Sequence, residues 1–297
     1  MATDLLIESF RDYLELERCY SVYTVRGYVS DLEEFKEFFC AEDETLTWEG
    51  IDTDIVRRWI VFLMDKGRTP SSVNRKLSSL RVFYKLLMRR QVVKKTPLAG
   101  LQGLRKNKPL PCFVKETDMD KLLDEIDFGE GFEALRDKAV IAMFYATGVR
   151  LSELVGLNDE NVDFLALSIK VLGKGCKQRV IPFGDELKNT LLAYVDKRNL
   201  SCGAPSEAFF VNAKGQRISR TKVQALVRKH LSSVVRMKKR SPHVLRHSFA
   251  TSLLNNKAEL GVVKELLGHE SLAATEIYTH VTFEELKTVY KQAHPRA

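Results

Sequence analysis

Six residues in the second half of the chain, Arg150, Lys174, His243, Arg246, His269 and Tyr278, are of types that together can hold and rearrange a phosphate ester. Guanidinium forks match anionic oxygens in pairs, and an ammonium or imidazole group can deliver or accept a proton. A phenol becomes a nucleophile once its proton is drawn away. Each residue alone also has a plainer reading. Arg150 follows the apolar run Ala139–Ala146 and Gly148, and stands where Leu151-Ser-Glu-Leu154 begins a helix, so pairing with Glu153 is its ordinary role. Lys174, in Gly173-Lys174-Gly175, lacks the four-residue spacer of a P-loop and reads as a turn lysine, either solvated or aimed at a groove. Ser241 and Pro242 mark a helix start, which places His243 and Arg246 on one face of a first turn whose N–H groups already favour an anion. Gly268 can end one helix and Ser271 can cap the next, leaving His269 between them and Tyr278 further along.

These groups lie far apart in sequence, so a fold must gather them. Residues 1–55 hold 4 basic and 15 acidic side chains, whereas residues 56–110 hold 15 basic and 1 acidic. That segregation predicts a basic face on some of the first helices. Amphipathic periodicity predicts helices near 4–18, 22–40, 52–66 and 71–91. The last buries Val73, Leu77, Leu80, Phe83, Tyr84 and Leu87, and its other face offers Arg75, Lys76, Arg81 and Lys85, with Arg89 and Arg90 at its end. This face is either solvated or laid along DNA phosphates. Residues 103–113, with Pro109 and Pro111, read as a linker between an N-terminal domain (1–102) and a second domain (114–297). Beyond it, Glu116–Ile126 and Leu135–Tyr145 read as helices, and 167–172 and 178–182 as a hairpin, with Ala208–Val211 as a further edge strand. The fold class is mainly α with a small β-sheet.

Composition narrows the setting. The net charge of +8 favours polyanionic partners. No apolar run reaches the roughly 18–20 residues of a membrane span, and the acidic start has no signal-peptide profile. Five scattered cysteines suit a reducing cytoplasm. His243 and His247 lack the glutamate of a zinc-binding H-E-x-x-H, so neither a metal nor a cofactor is expected.

The strings ATGVRLSEL (146–154), GKGCKQRVIP (173–182), SPHVLRHSFAT (241–251) and LLGHESLAATEIYTH (266–280) resemble the tyrosine recombinase (phage integrase) family. The N-terminal Ser21–Tyr28 and Ser72–Arg75 stretches resemble that family's core-binding domain, and the tail is nearest the Xer subgroup, its XerC branch. The resemblance implies an N-terminal helical-bundle domain and a C-terminal catalytic domain closing as a C-shaped clamp on duplex DNA. It implies strand exchange without metal or ATP through a 3′-phosphotyrosyl link to Tyr278. Arg150 and Arg246 would clamp the phosphate, His243 would act as base, Lys174 as acid, and His269 would place the phosphate. Implied partners are a dif-like DNA site, a recombinase tetramer with a XerD-like paralogue, and the septal translocase FtsK. The stripe Phe283, Leu286 and Tyr290 would dock into a neighbouring protomer, or else pack on its own domain. Rival readings are a mobile-element integrase or DNA invertase of the same family, and a non-catalytic DNA-binding protein.

Overall fold

The computed structural model describes residues 4–105, 112–173, 178–202, 207–237, 239–268 and 282–297. The chain divides into two compact units, 1–109 and 110–297, each with its own apolar core.

The first unit consists of α1 (Leu5–Asp12, continued by a π-helical turn, Tyr13–Glu17), α2 (Val22–Glu42), α3 (Thr53–Asp65) and α4 (Pro70–Arg89). Side-chain caps fix their starts: Asp4, Ser21, Asp52 and Thr69 each accept from backbone N–H groups of the first turn. Aromatic rings fill the core, with Phe35 against Trp59 and Trp48 against Phe83 at centroid distances of 4.7 Å. The charge segregation has a different outcome from the basic face expected. Lys76 is buried and pairs with Asp31 at 3.0 Å and with Glu34, while Arg75 forks onto both oxygens of Asp31. Arg89 reaches Glu17. Much of the positive charge of α4 therefore neutralises the acidic helices of its own unit.

In the second unit, α6 (Phe132–Thr147) is sheathed on all sides, with every residue from Ala139 to Thr147 buried. This is why its sequence is apolar all round and not striped. Around it lie α5 (Glu116–Asp120, continued by a π-helical turn, Lys121–Glu125), α7 (Leu151–Gly156), α8 (Asp185–Cys202), α9 (Arg220–Val234), α10 (Pro242–Asn255), α11 (Leu260–Leu267) and α12 (Phe283–Ala293). An antiparallel sheet runs in the order β1 (Val162–Asp163), β2 (Ser168–Leu172), β3 (Gln178–Pro182). The expected hairpin is present in register Leu172↔Gln178 and Ile169↔Ile181. Ala208–Val211 is not its edge strand; it makes only isolated bridges, to Asn158 and Arg217, and β1 takes the edge. The apolar stripe of α12 packs on its own unit, where Leu286 and Tyr290 are buried. His294 stacks on Tyr290 at 4.9 Å and fills the space beside Tyr145 and Phe249, so in the single chain the helix takes the seat on its own unit, one of the two expected.

Candidate active site

Gly148 ends α6 in the left-handed conformation, φ 60°, turning the chain so that Arg150 becomes the N-cap of α7. A methyl group at Gly148 would lie 2.4 Å from the Phe249 ring, so the turn is also pressed against α10. Arg150 closes a capping box with Glu153: its backbone N–H donates to Oε2 at 2.7 Å and its Nη1 to Oε1 at 2.8 Å. Its Nη2 reaches across to the Gly268 carbonyl at 2.6 Å. The side chain remains a third exposed.

Arg246 enters the same place from the first turn of α10. It is 8% exposed, and its guanidinium donates to the Gly148 carbonyl at 2.5 Å and the Leu267 carbonyl at 2.6 Å. Among the described residues it has no carboxylate at ion-pair distance. Burial, and next the charges of Arg150 and Arg179, push its pKa down to about 10, which still leaves it charged at neutral pH. His243 stands three residues earlier on the same helix and is exposed. Pro242 occupies the first helical position as expected, but Ser241 is an N-cap without a side-chain hydrogen bond, leaving N–H groups of that turn to other acceptors.

Sequence reading missed Arg179. It lies on β3 and forks onto both oxygens of Glu153, Nη1 to Oε1 at 2.7 Å and Nη2 to Oε2 at 2.8 Å, while its Nε donates to the Leu266 carbonyl at 3.0 Å. The signal was strand parity: Arg179 shares the face of buried Ile181, and an inward arginine needs a buried partner. Burial alone would raise the Glu153 pKa. The hydrogen bonds from Arg179 and Arg150 outweigh it and hold the carboxyl below its ordinary value.

Of the six sequence candidates, the structure brings Arg150 and Arg246 together and sets His243 at the exposed start of the Arg246 helix. Lys174, His269 and Tyr278 lie outside the described residues. Leu172 and Gln178, which precede and follow Lys174 in the chain, pair at the end of the ladder, and Gly268 precedes His269. Three guanidinium groups thus gather where a single carboxylate, Glu153, pairs with two of them, Arg150 and Arg179, an excess of positive charge that a bound anion would balance.

In the first unit, Ser71, Ser72, Asn74, Arg75, Ser78 and Arg81 line a shallow cavity of about 480 Å³ on α4. Asn74 bonds both backbone groups of Leu104, and Arg81 the Leu101 carbonyl, so the segment leaving the unit is tied to this helix.

Residues 113–285 match the phage integrase family, and residues 7–91 match the N-terminal SAM-like domain of phage integrases. The chain is 37% identical to the tyrosine recombinase XerC of Chlorobaculum tepidum, over 97% of this chain and 94% of that protein. It is 34% identical to the tyrosine recombinase XerD of Oceanobacillus iheyensis, over 98% of both. Its fold matches the XerH site-specific recombinase in a post-cleavage complex with a palindromic difH substrate. There the TM-score is 0.71 at 19% identity, covering 97% of this chain and 82% of that one.

Proposed function

Because the chain belongs to the phage integrase family of tyrosine recombinases, we propose that it is a Xer-type site-specific recombinase that cuts and rejoins duplex DNA. The carrying observation is the convergence of Arg150 and Arg246 on one turn with more guanidinium than carboxylate charge. Tyr278 attacks the scissile phosphate, forming a bond from its phenolic oxygen to phosphorus as the 5′-oxygen departs. The product is a 3′-phosphotyrosyl link and a free 5′-hydroxyl, and a partner strand's 5′-hydroxyl reverses the step. The phosphodiester bond energy stays in the covalent link, so the step needs no ATP.

Negative charge grows on the non-bridging oxygens as phosphorus becomes five-coordinate, and the forks of Arg150 and Arg246 are suited to receive it. A phenol with pKa ~10 needs its proton removed at neutral pH. His243, exposed at the helix start beside Arg246, takes the role of base. Lys174 protonates the leaving 5′-oxygen, and His269 hydrogen-bonds the phosphate.

Duplex DNA is the substrate of both units, and in the first α4 supplies phosphate contacts through its serines and Arg81. Four protomers in a closed ring on two dif-like sites satisfy the symmetry of strand exchange. Relatives named XerC and XerD support pairing with a XerD-like paralogue; the same reading takes the translocase FtsK as regulator and the cytoplasm as the setting.

The test is recovery of covalent protein–DNA complexes from the host genome. Recovery concentrated at one chromosomal site supports the task the Xer likeness implies, resolving chromosome dimers at a dif-like site during cell division, whereas recovery at the ends of a mobile element refutes it. On a nicked suicide duplex carrying that site, Tyr278→Phe binds but forms no adduct; an ordinary adduct yield removes Tyr278 as nucleophile. Lys174→Ala loses most cleavage and regains it on a substrate with a 5′-thiolate leaving group, and absence of that rescue removes Lys174 as the acid.

A further inference from the structure

The last three backbone carbonyls at the end of α11 are each taken by a different arginine. Leu266 accepts from Arg179, Leu267 from Arg246 and Gly268 from Arg150. A helix C-terminus presents unpaired carbonyls and the negative end of its dipole, so it suits cations. Two of these arginines are the proposed phosphate clamps. The third faces away from any such duty, because its fork is wholly engaged by Glu153 and its side chain is only 12% exposed.

Glu153 is the joint of the arrangement. Each of its oxygens accepts one bond from Arg179 and one from Arg150. With its side chain 1% exposed, it has no water to replace a lost partner. Without Arg179, a buried carboxylate would keep only Arg150, and the pair would be free to rotate about the capping box. Arg179 also ties two further elements to this joint: β3, which follows Lys174 in the chain, and the end of α11, which precedes His269 and Tyr278. The contact is close, since a methyl group at Gly268 would stand 3.2 Å from the Arg179 side chain.

We propose that Arg179 is a positioning residue for strand cleavage, acting through Glu153 to fix the fork of Arg150 against the end of α11. This rests on the assignment of Arg150 to the phosphate. Arginine is required because a lysine is a point charge that cannot satisfy two carboxylate oxygens and a carbonyl at once.

The experiment measures single-turnover adduct formation and DNA affinity for the full-length chain on the nicked suicide duplex, in the wild type, Arg179→Gln, Arg179→Lys, Arg150→Gln and the double variant Arg150→Gln/Arg179→Gln. Displacing a clamp by a fraction of an ångström to an ångström costs about 10–100-fold in rate. Arg179→Gln is expected to cleave slower by that factor, with DNA affinity within about twofold of wild type, since the step lost is orientation and not phosphate binding. Arg179→Lys is expected to melt near the wild-type temperature yet remain slow. Adding Arg179→Gln to Arg150→Gln is expected to cost little more, because both act through one fork. Wild-type cleavage by Arg179→Gln overturns the proposal, as do a multiplicative double variant and failure of both Arg179 variants to fold. Normal cleavage by Arg150→Gln instead overturns the assignment of Arg150 itself, a distinct result.

Discussion

Arg246 commits two of its donors to peptide carbonyls, and the rest of its buried fork, without a carboxylate at ion-pair distance among the described residues, is suited to the anion proposed for the site. The carbonyls belong to Gly148 and Leu267, which lie on the turns at the ends of α6 and α11, so this side chain holds two elements together while facing the site. Arg246→Lys keeps the charge and loses the planar fork. Donors aimed at developing transition-state charge are worth about 3–4 kcal/mol each, which predicts a roughly 10²–10³-fold loss of single-turnover cleavage. Near-wild-type adduct formation would show that the fork is not used. At this scale Arg150 and Arg246 were legible because each sits beside a helix start or a glycine turn that announces its position. Arg179 was less so. A cation in a short alternating strand resembles a solvated edge residue unless its parity with Ile181 is weighed.

The elements that carry these arginines were legible wherever one face is apolar and a cap marks the start, as in α2 with Ser21 and α4 with Thr69 and Pro70. What periodicity could not supply was the partner of each polar face. Lys76 reads as an outward cation on α4, but Asp31 and Glu34 on α2 draw it into the bundle. Ala208–Val211 has strand-like composition, but its backbone pairs outside the sheet, in isolated bridges to Asn158 and Arg217. The turn after α6 was readable from Gly148, and it makes a strong demand. Its φ of 60° disfavours any side chain, and a methyl group there would meet Phe249 at 2.4 Å. Gly148→Ala therefore forces either the backbone or α10 to move, at a cost of about 1–3 kcal/mol. Because the Gly148 carbonyl is also an acceptor for Arg246, cleavage should fall further than DNA binding. A denaturation midpoint and adduct rate equal to wild type would contradict this.

The whole molecule has two separate cores, so a disturbance of one unit is expected to appear in that unit's transition. The catalytic unit carries a pH-sensitive element far from the arginines in sequence. His294 is 4% exposed and stacked on Tyr290; its Nε2 lies 3.2 Å from the Tyr145 carbonyl, and its Nδ1 accepts from the Arg296 N–H. Arg296 beside it pairs with Asp124 at 2.6 Å and Asp120 at 3.0 Å, and also with Glu186. Burial, opposed by the hydrogen bond to Tyr145 and aided by the charge of Arg296, pushes the His294 pKa down to about 4 from an ordinary 6.5. The unfolded chain therefore takes up a proton at pH values where the folded chain does not. The stability associated with neutral His294 is complete above about pH 6.5 and is lost progressively as the pH falls toward 4. The gap corresponds to roughly 3 kcal/mol. The lowered carboxyls of Asp124, Glu133, Asp137 and Glu153 also cost stability in acid as they protonate, but that loss belongs to a lower range. The discriminating quantity is the slope of unfolding free energy between pH 6.5 and 4.5, compared between the wild type and His294→Gln. The variant is expected to begin less stable, because a stacked ring is lost, and to show a much flatter slope. Equal slopes would mean that His294 titrates alike in both states and is not held neutral by its seat against α12.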